Sequence, residues 1–142
     1  MKKLFLLTII LMVSNFVSAQ YVAFFKFKTD KPEMVVSTIS DMVQSDFGLG
    51  IPASINLFAL FFAGDDEATH AVTFDFMSEN DLQTFMSSWG ASKVSQLFSS
   101  KFDTISSPVS RYIATPIYYK GDWSPDQVFM IWNFDVKDPG AF

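Results

Sequence analysis

His70 is the chain's single histidine. It is the side chain whose ordinary pKa lies nearest neutrality, which makes it the candidate proton-transfer residue. There is no cysteine, so disulfides, thiolate nucleophiles and thiolate metal sites are excluded. One histidine also excludes a His-rich metal cluster. Asp75 and the serines near His70 lack the spacing of a nucleophilic triad. Arg111 is the chain's lone arginine, and its planar fork suits either a carboxylate ligand or a neighbouring Asp or Glu. Asp65, Asp66 and Glu67 form a run too short for a calcium loop, which reads as a solvated turn. Trp89, with Phe85 and Met86, lines either a pocket or the core. Asn133, between Trp132 and Phe134, points into a polar pocket or lies on an exposed edge. Gly48-Leu49-Gly50 does not follow a strand and open a helix as a dinucleotide fingerprint must. The expectation is His70 as the catalytic candidate, Trp89, Arg111 and Asn133 as ligand contacts, and neither metal nor cofactor.

These residues sit in a chain of 142 residues that is 49% hydrophobic and 18% charged, with 17 phenylalanines. That composition excludes intrinsic disorder and supports one domain. Lys2 and Lys3 precede an apolar run over 4–13, and Val17-Ser18-Ala19 follows before Gln20. Basic start, short apolar stretch and small-residue site are the pattern of a signal peptide over 1–19. The run is too short to span a bilayer. The expected mature chain is exported, periplasmic or secreted, with no stable membrane span. Losing Lys2 and Lys3 takes the net charge from −5 to −7, which repels phosphate backbones and argues against nucleic-acid partners.

The elements follow from local pattern. Residues 21–28 (YVAFFKFK) predict a strand. Asp30 is the expected cap of a helix with Pro32 in its first turn and Val36, Ile39, Val43 and Phe47 as its buried stripe. Residues 54–62 form an apolar run expected to be a strand buried on both faces. After the turn at 63–68, residues 69–76 return as a strand with Val72, Phe74 and Phe76 on one face and Ala71, Thr73 and Asp75 on the other. Ser78 and Asp81 open a second helix, whose stripe of Leu82, Phe85, Met86 and Trp89 resumes past Gly90 with Val94, Leu97 and Phe98. Residues 109–119 predict a fourth strand, at an edge or with a bulge because of Pro116. Strand, helix, strand, strand, helix, strand is the split βαβ order of a ferredoxin-like α+β fold: an antiparallel sheet with two helices on one face.

Residues 120–127 (KGDWSPDQ) read as a linker. Beyond it, 129–142 lies over 22–35 at an offset of 107, with Phe27 over Phe134 and Pro32 over Pro139. The segment 128–142 is therefore expected to begin a second, incomplete repeat, with Trp123 and Trp132 at the junction.

The element order, the hairpin-to-helix passage from Ala68-Thr69-His70-Ala71-Val72 through Phe74, Ser78 and Leu82, and the strand running into Asp138-Pro139 resemble the dimeric α+β barrel superfamily. The resemblance implies that two such sheets lie face to face, between copies or tandem repeats, and that aromatic residues on the helix-free face need that cover. It implies association through the sheet face, with room for a small apolar ligand. The superfamily also holds cofactor-independent monooxygenases and isomerases, which implies as an alternative an enzyme acting on a small apolar or aromatic molecule with His70 as acid/base.

Overall fold

The structure is a computed structural model that describes residues 20–117, 128, 130–138 and 140. The expected signal peptide at 1–19, the linker at 120–127 and Trp123 lie outside the described residues.

Strand β1 (Tyr21–Lys28) forms over the expected residues. Helix α1 (Pro32–Val43) follows, with Lys31 rather than Asp30 in the capping position. Its buried row is Val35, Thr38, Ile39 and Met42, and Val36 is 55% exposed. Two helical rows one residue apart share Ile39. The row that meets the sheet includes polar Thr38, which a hydrophobic count passes over. Phe47 does not extend α1; it lies in a separate short helix, α2 (Asp46–Leu49), started by Ser45, whose side chain accepts from the Gly48 amide.

Strands β2 (Ser54–Ala59) and β3 (His70–Phe76) pair antiparallel, with Ile55 opposite Phe74 and Leu57 opposite Val72. The sheet order is β2-β3-β1-β4. β2 is therefore an edge, and the expectation that it is buried on both faces is corrected: its interior is only half-buried. An apolar run fits an edge strand whose inner face alone meets helices, and Ile55 and Leu57 pack against the core.

Ser78 caps α3 (Glu79–Ala91): its hydroxyl accepts from the Asp81 amide and donates to the Asp81 carboxylate. The helix does not run on through the second half of the expected stripe. It ends at Ser92, whose side chain accepts from the amides of Val94 and Ser95 and starts α4 (Lys93–Phe102). Met86 and Leu97, expected in the apolar stripe, are exposed: the row of α3 that meets the sheet runs through Phe85, and the break at Ser92 re-aims α4 and with it Leu97. Strand β4 spans Ser107–Ala114, earlier than expected, and pairs with β1 through a bulge at Lys26/Phe27. Pro116 lies past its end. Of the segment 128–142 expected to open a second repeat, the described residues 130–138 carry no strand and are exposed; an isolated strand has no ladder to satisfy its backbone.

The core lies between sheet and helices. Ala23, Phe27, Val72, Phe74 and Phe76 from the sheet meet Val35, Ile39, Phe85 and Ile105. Trp89 joins its rim, with rings of Phe85, Phe98, Phe47 and Phe74 at 5.2–6.1 Å. With no disulfide available, this aromatic packing carries the fold. At one end, Thr29 ties three connections together. Its amide donates to the Thr69 hydroxyl (3.0 Å) and its own hydroxyl to the Ile105 carbonyl (2.7 Å).

Candidate functional site

Alternation along the strands sends even-numbered β1 residues to the face without helices. The registers bring Val22, Phe24 and Lys26 of β1 alongside Asp75, Thr73 and Ala71 of β3. Ser54, Asn56 and Phe58 of β2 and Ser110, Tyr112 and Ala114 of β4 share that face. Its composition is mixed, not uniformly apolar. Phe24 and Tyr112 stack at 4.8 Å with their planes 19° apart, flanked by Val22 and Ala114. Beside them is a polar cluster in which the Asn56 amide donates to Asp75 (2.9 Å) and to Thr73 (3.3 Å).

Burial holds the Asp75 carboxyl above its ordinary value, against the lowering pull of the Thr73 and Asn56 hydrogen bonds. A raised folded value means that Asp75's favourable contribution is complete below the unfolded value of 3.8 and is lost as pH rises through the folded value. Asp75→Asn therefore raises the melting temperature at pH 7 and brings no gain at pH 3. Equal gains at both pH values would contradict this.

Lys26 forms an ion pair with Asp66, and Lys28 a looser, exposed one with Glu67 (3.7 Å). The hydrogen bond from Lys26, then that from the Ala68 amide, pulls the Asp66 carboxyl below its ordinary value. The acidic turn is thus clamped to β1. Among the described residues, no group of three His, Asp or Glu side chains converges as a metal site would require.

The candidates drawn from sequence are not brought together. His70 lies on the helix side at one end of β3, its ring stacked 5.8 Å from Phe27 and Nδ1 2.9 Å from the Thr69 hydroxyl. Burial lowers its pKa below the ordinary value by disfavouring the charged imidazolium. Trp89 packs in the aromatic core and floors a shallow, open depression with Gly90, Ser95, Gln96, Ser99 and Asp103. Arg111 is exposed on the helix side of β4 and has no ion pair among the described residues. Asn133 is exposed in the C-terminal segment. Sequence reasoning missed the Asn56–Thr73–Asp75 cluster. The period-two parity of β3 places Thr73 and Asp75 together, but Asn56 joins them only through the β2–β3 register.

The order β2-β3-β1-β4 with its helices on one face defines a ferredoxin-like α+β protein. No family model matches the chain, and no curated protein does. Among solved structures, the chain is similar to SnoaB, a cofactor-independent oxygenase from Streptomyces nogalater (TM-score 0.50, 10% identity, 73% of this chain and 97% of that one). It is also similar to a dimeric ferredoxin-like protein of unknown function from Thermobifida fusca (0.46, 10%, 72% and 93%). A third is a dimeric protein of unknown function and ferredoxin-like fold from Bacteroides fragilis (0.41, 12%, 70% and 95%). At these identities the likeness is one of fold. No helix among the described residues is long and apolar enough to cross a membrane.

Proposed function

We propose that the chain is an exported association module that closes its helix-free sheet face against a second sheet, with room for a small apolar ligand between them. The supporting observation is the Phe24–Tyr112 stack on a face that carries no helix layer. Two stacked rings flanked by Val22 and Ala114 form the kind of aromatic anchor that dominates interface energetics, and the Asn56–Asp75 pair beside it would fix register. The second sheet comes from another copy or from a repeat begun at 128–142. Export rests on the 1–19 pattern.

Phe24→Lys tests the association. Losing an anchor costs about 2 kcal/mol or more, roughly a 30-fold weaker complex. Sedimentation equilibrium should show the dimer of the unsubstituted chain giving way to monomer, with the far-ultraviolet spectrum unchanged. An unsubstituted chain that stays monomeric at high micromolar concentration, with the Phe24–Tyr112 face open to solvent in that monomer, would overturn the reading.

A second reading is a cofactor-independent enzyme of the monooxygenase or isomerase type acting on a small apolar or aromatic molecule. The observation behind it is the placement of His70, a half-buried imidazole at one end of β3 with Nδ1 2.9 Å from the Thr69 hydroxyl. Under that reading His70→Ala abolishes turnover while folding persists.

A further inference from the structure

Strand β4 is an edge: it pairs with β1 on one side and with no described strand on the other. Both of its faces carry uncovered apolar groups, with Ile113 52% exposed and Tyr112 at 37%. An open edge of this kind invites another strand. The segment 130–137 (MIWNFDVK) alternates, with Met130, Trp132, Phe134 and Val136 on one parity and Ile131, Asn133, Asp135 and Lys137 on the other. That is the pattern of a half-buried strand. Yet Trp132 is 69% and Phe134 72% exposed, and the backbone there makes no ladder.

We propose that residues 130–136 of this chain dock antiparallel on the open edge of β4 as a fifth strand, with Asp135 opposite Arg111. This register answers three needs at once. It gives Arg111, unpaired among the described residues, a carboxylate on the helix side. It sets Phe134 beside Tyr112 on the helix-free face, continuing the Phe24–Tyr112 stack into a ladder of three rings. It sets the large Trp132 across from the small Ala114. Antiparallel neighbours need as few as two connecting residues, and the chain between Ala114 and Trp132 has many more. A tethered segment meets its edge at a millimolar effective concentration, above that of a second copy's segment in solution.

The assignment rests on the association reading, because it widens the same face. It also assigns the second sheet to another copy, since 130–136 then belongs to the first.

The absence of cysteine from the chain permits a clean test. Directly opposed residues have Cα atoms about 4.5–5.5 Å apart, within disulfide range. In the chain 20–142, Ser110→Cys with Val136→Cys should oxidise to an intrachain disulfide, independent of protein concentration. The control pair Ser110→Cys with Asp135→Cys, whose side chains take opposite faces, should not. Without any cysteine, alternate amides of 131–136, those facing β4, should exchange about 10-fold or more slowly than a free peptide. Arg111→Asp should remove that protection, and adding Asp135→Arg should restore it. Linking between chains instead of within one would assign the edge to a second copy's segment and overturn the proposal. Equal linking of test and control pairs, or free-peptide exchange throughout 131–136, would overturn it as well. Should dimer mass still respond to Phe24→Lys in that case, the association reading stands and the fifth strand alone falls.

Discussion

Phe74→Ala should cost about 3–5 kcal/mol, the range for truncating a buried aromatic residue. Domains of this size hold on the order of 5–15 kcal/mol in total, so the variant should be close to unfolding. The ring is nearly buried and sits at the meeting point of the aromatic core. Phe25 lies edge-on at 5.6 Å, Phe85 at 5.0 Å and Trp89 at 6.1 Å. Sheet strand and covering helix both lean on it, so the space it leaves cannot close without moving one layer. Urea denaturation followed by circular dichroism reads the loss. Phe61→Ala, at an exposed position, should stay within about 0.5 kcal/mol of the parent. Comparable losses for both would mean that the packing described for Phe74 is not what holds the fold.

Gly48→Ala should be the second costly change. The α1–α2 junction turns so tightly that a Cβ at residue 48 would fall on the Met42 carbonyl and 2.6 Å from that of Val43. The obstacles are backbone atoms, which cannot rotate away. Ser45 locks the same corner, accepting from the Gly48 amide (3.1 Å) and donating to the Met42 carbonyl (2.6 Å). Overpacking costs about 1–3 kcal/mol, and the loss here belongs at the upper end. Gly50→Ala meets only ordinary contact, 3.5 Å to the Phe47 carbonyl, and should be tolerated. A Gly48→Ala variant melting with the parent would refute this account of the corner.

Where a feature depends on neighbours along the chain, the sequence is a good guide. The bounds of β1 follow from alternation and the Thr29-Asp30 stop. The cap at Ser78 follows from Asp81 three residues on. The element order, and with it the ferredoxin-like class, follows from the sum of such local signals. What escaped depends on partners far away in sequence. Val36 and Val35 satisfy the same periodicity, and the sheet decides which is buried. Residues 54–62 look like a central strand until the sheet order puts β2 at an edge. Asn56 meets Asp75 through a cross-strand register that no single segment encodes. His70 drew attention because of its chemistry alone, whereas its surroundings, the Phe27 ring and the Thr69 hydroxyl, are set by tertiary packing.

The clamp of the acidic turn onto Lys26 and Lys28 gives the helix-free face a direction. Both lysines stand at the same end of β1, so the acidic turn is fastened over that end and the end at Val22 and Ala114 carries no such tie. Salt loosens exposed ion pairs, so rising ionic strength should release Lys28–Glu67 before the more shielded Lys26–Asp66.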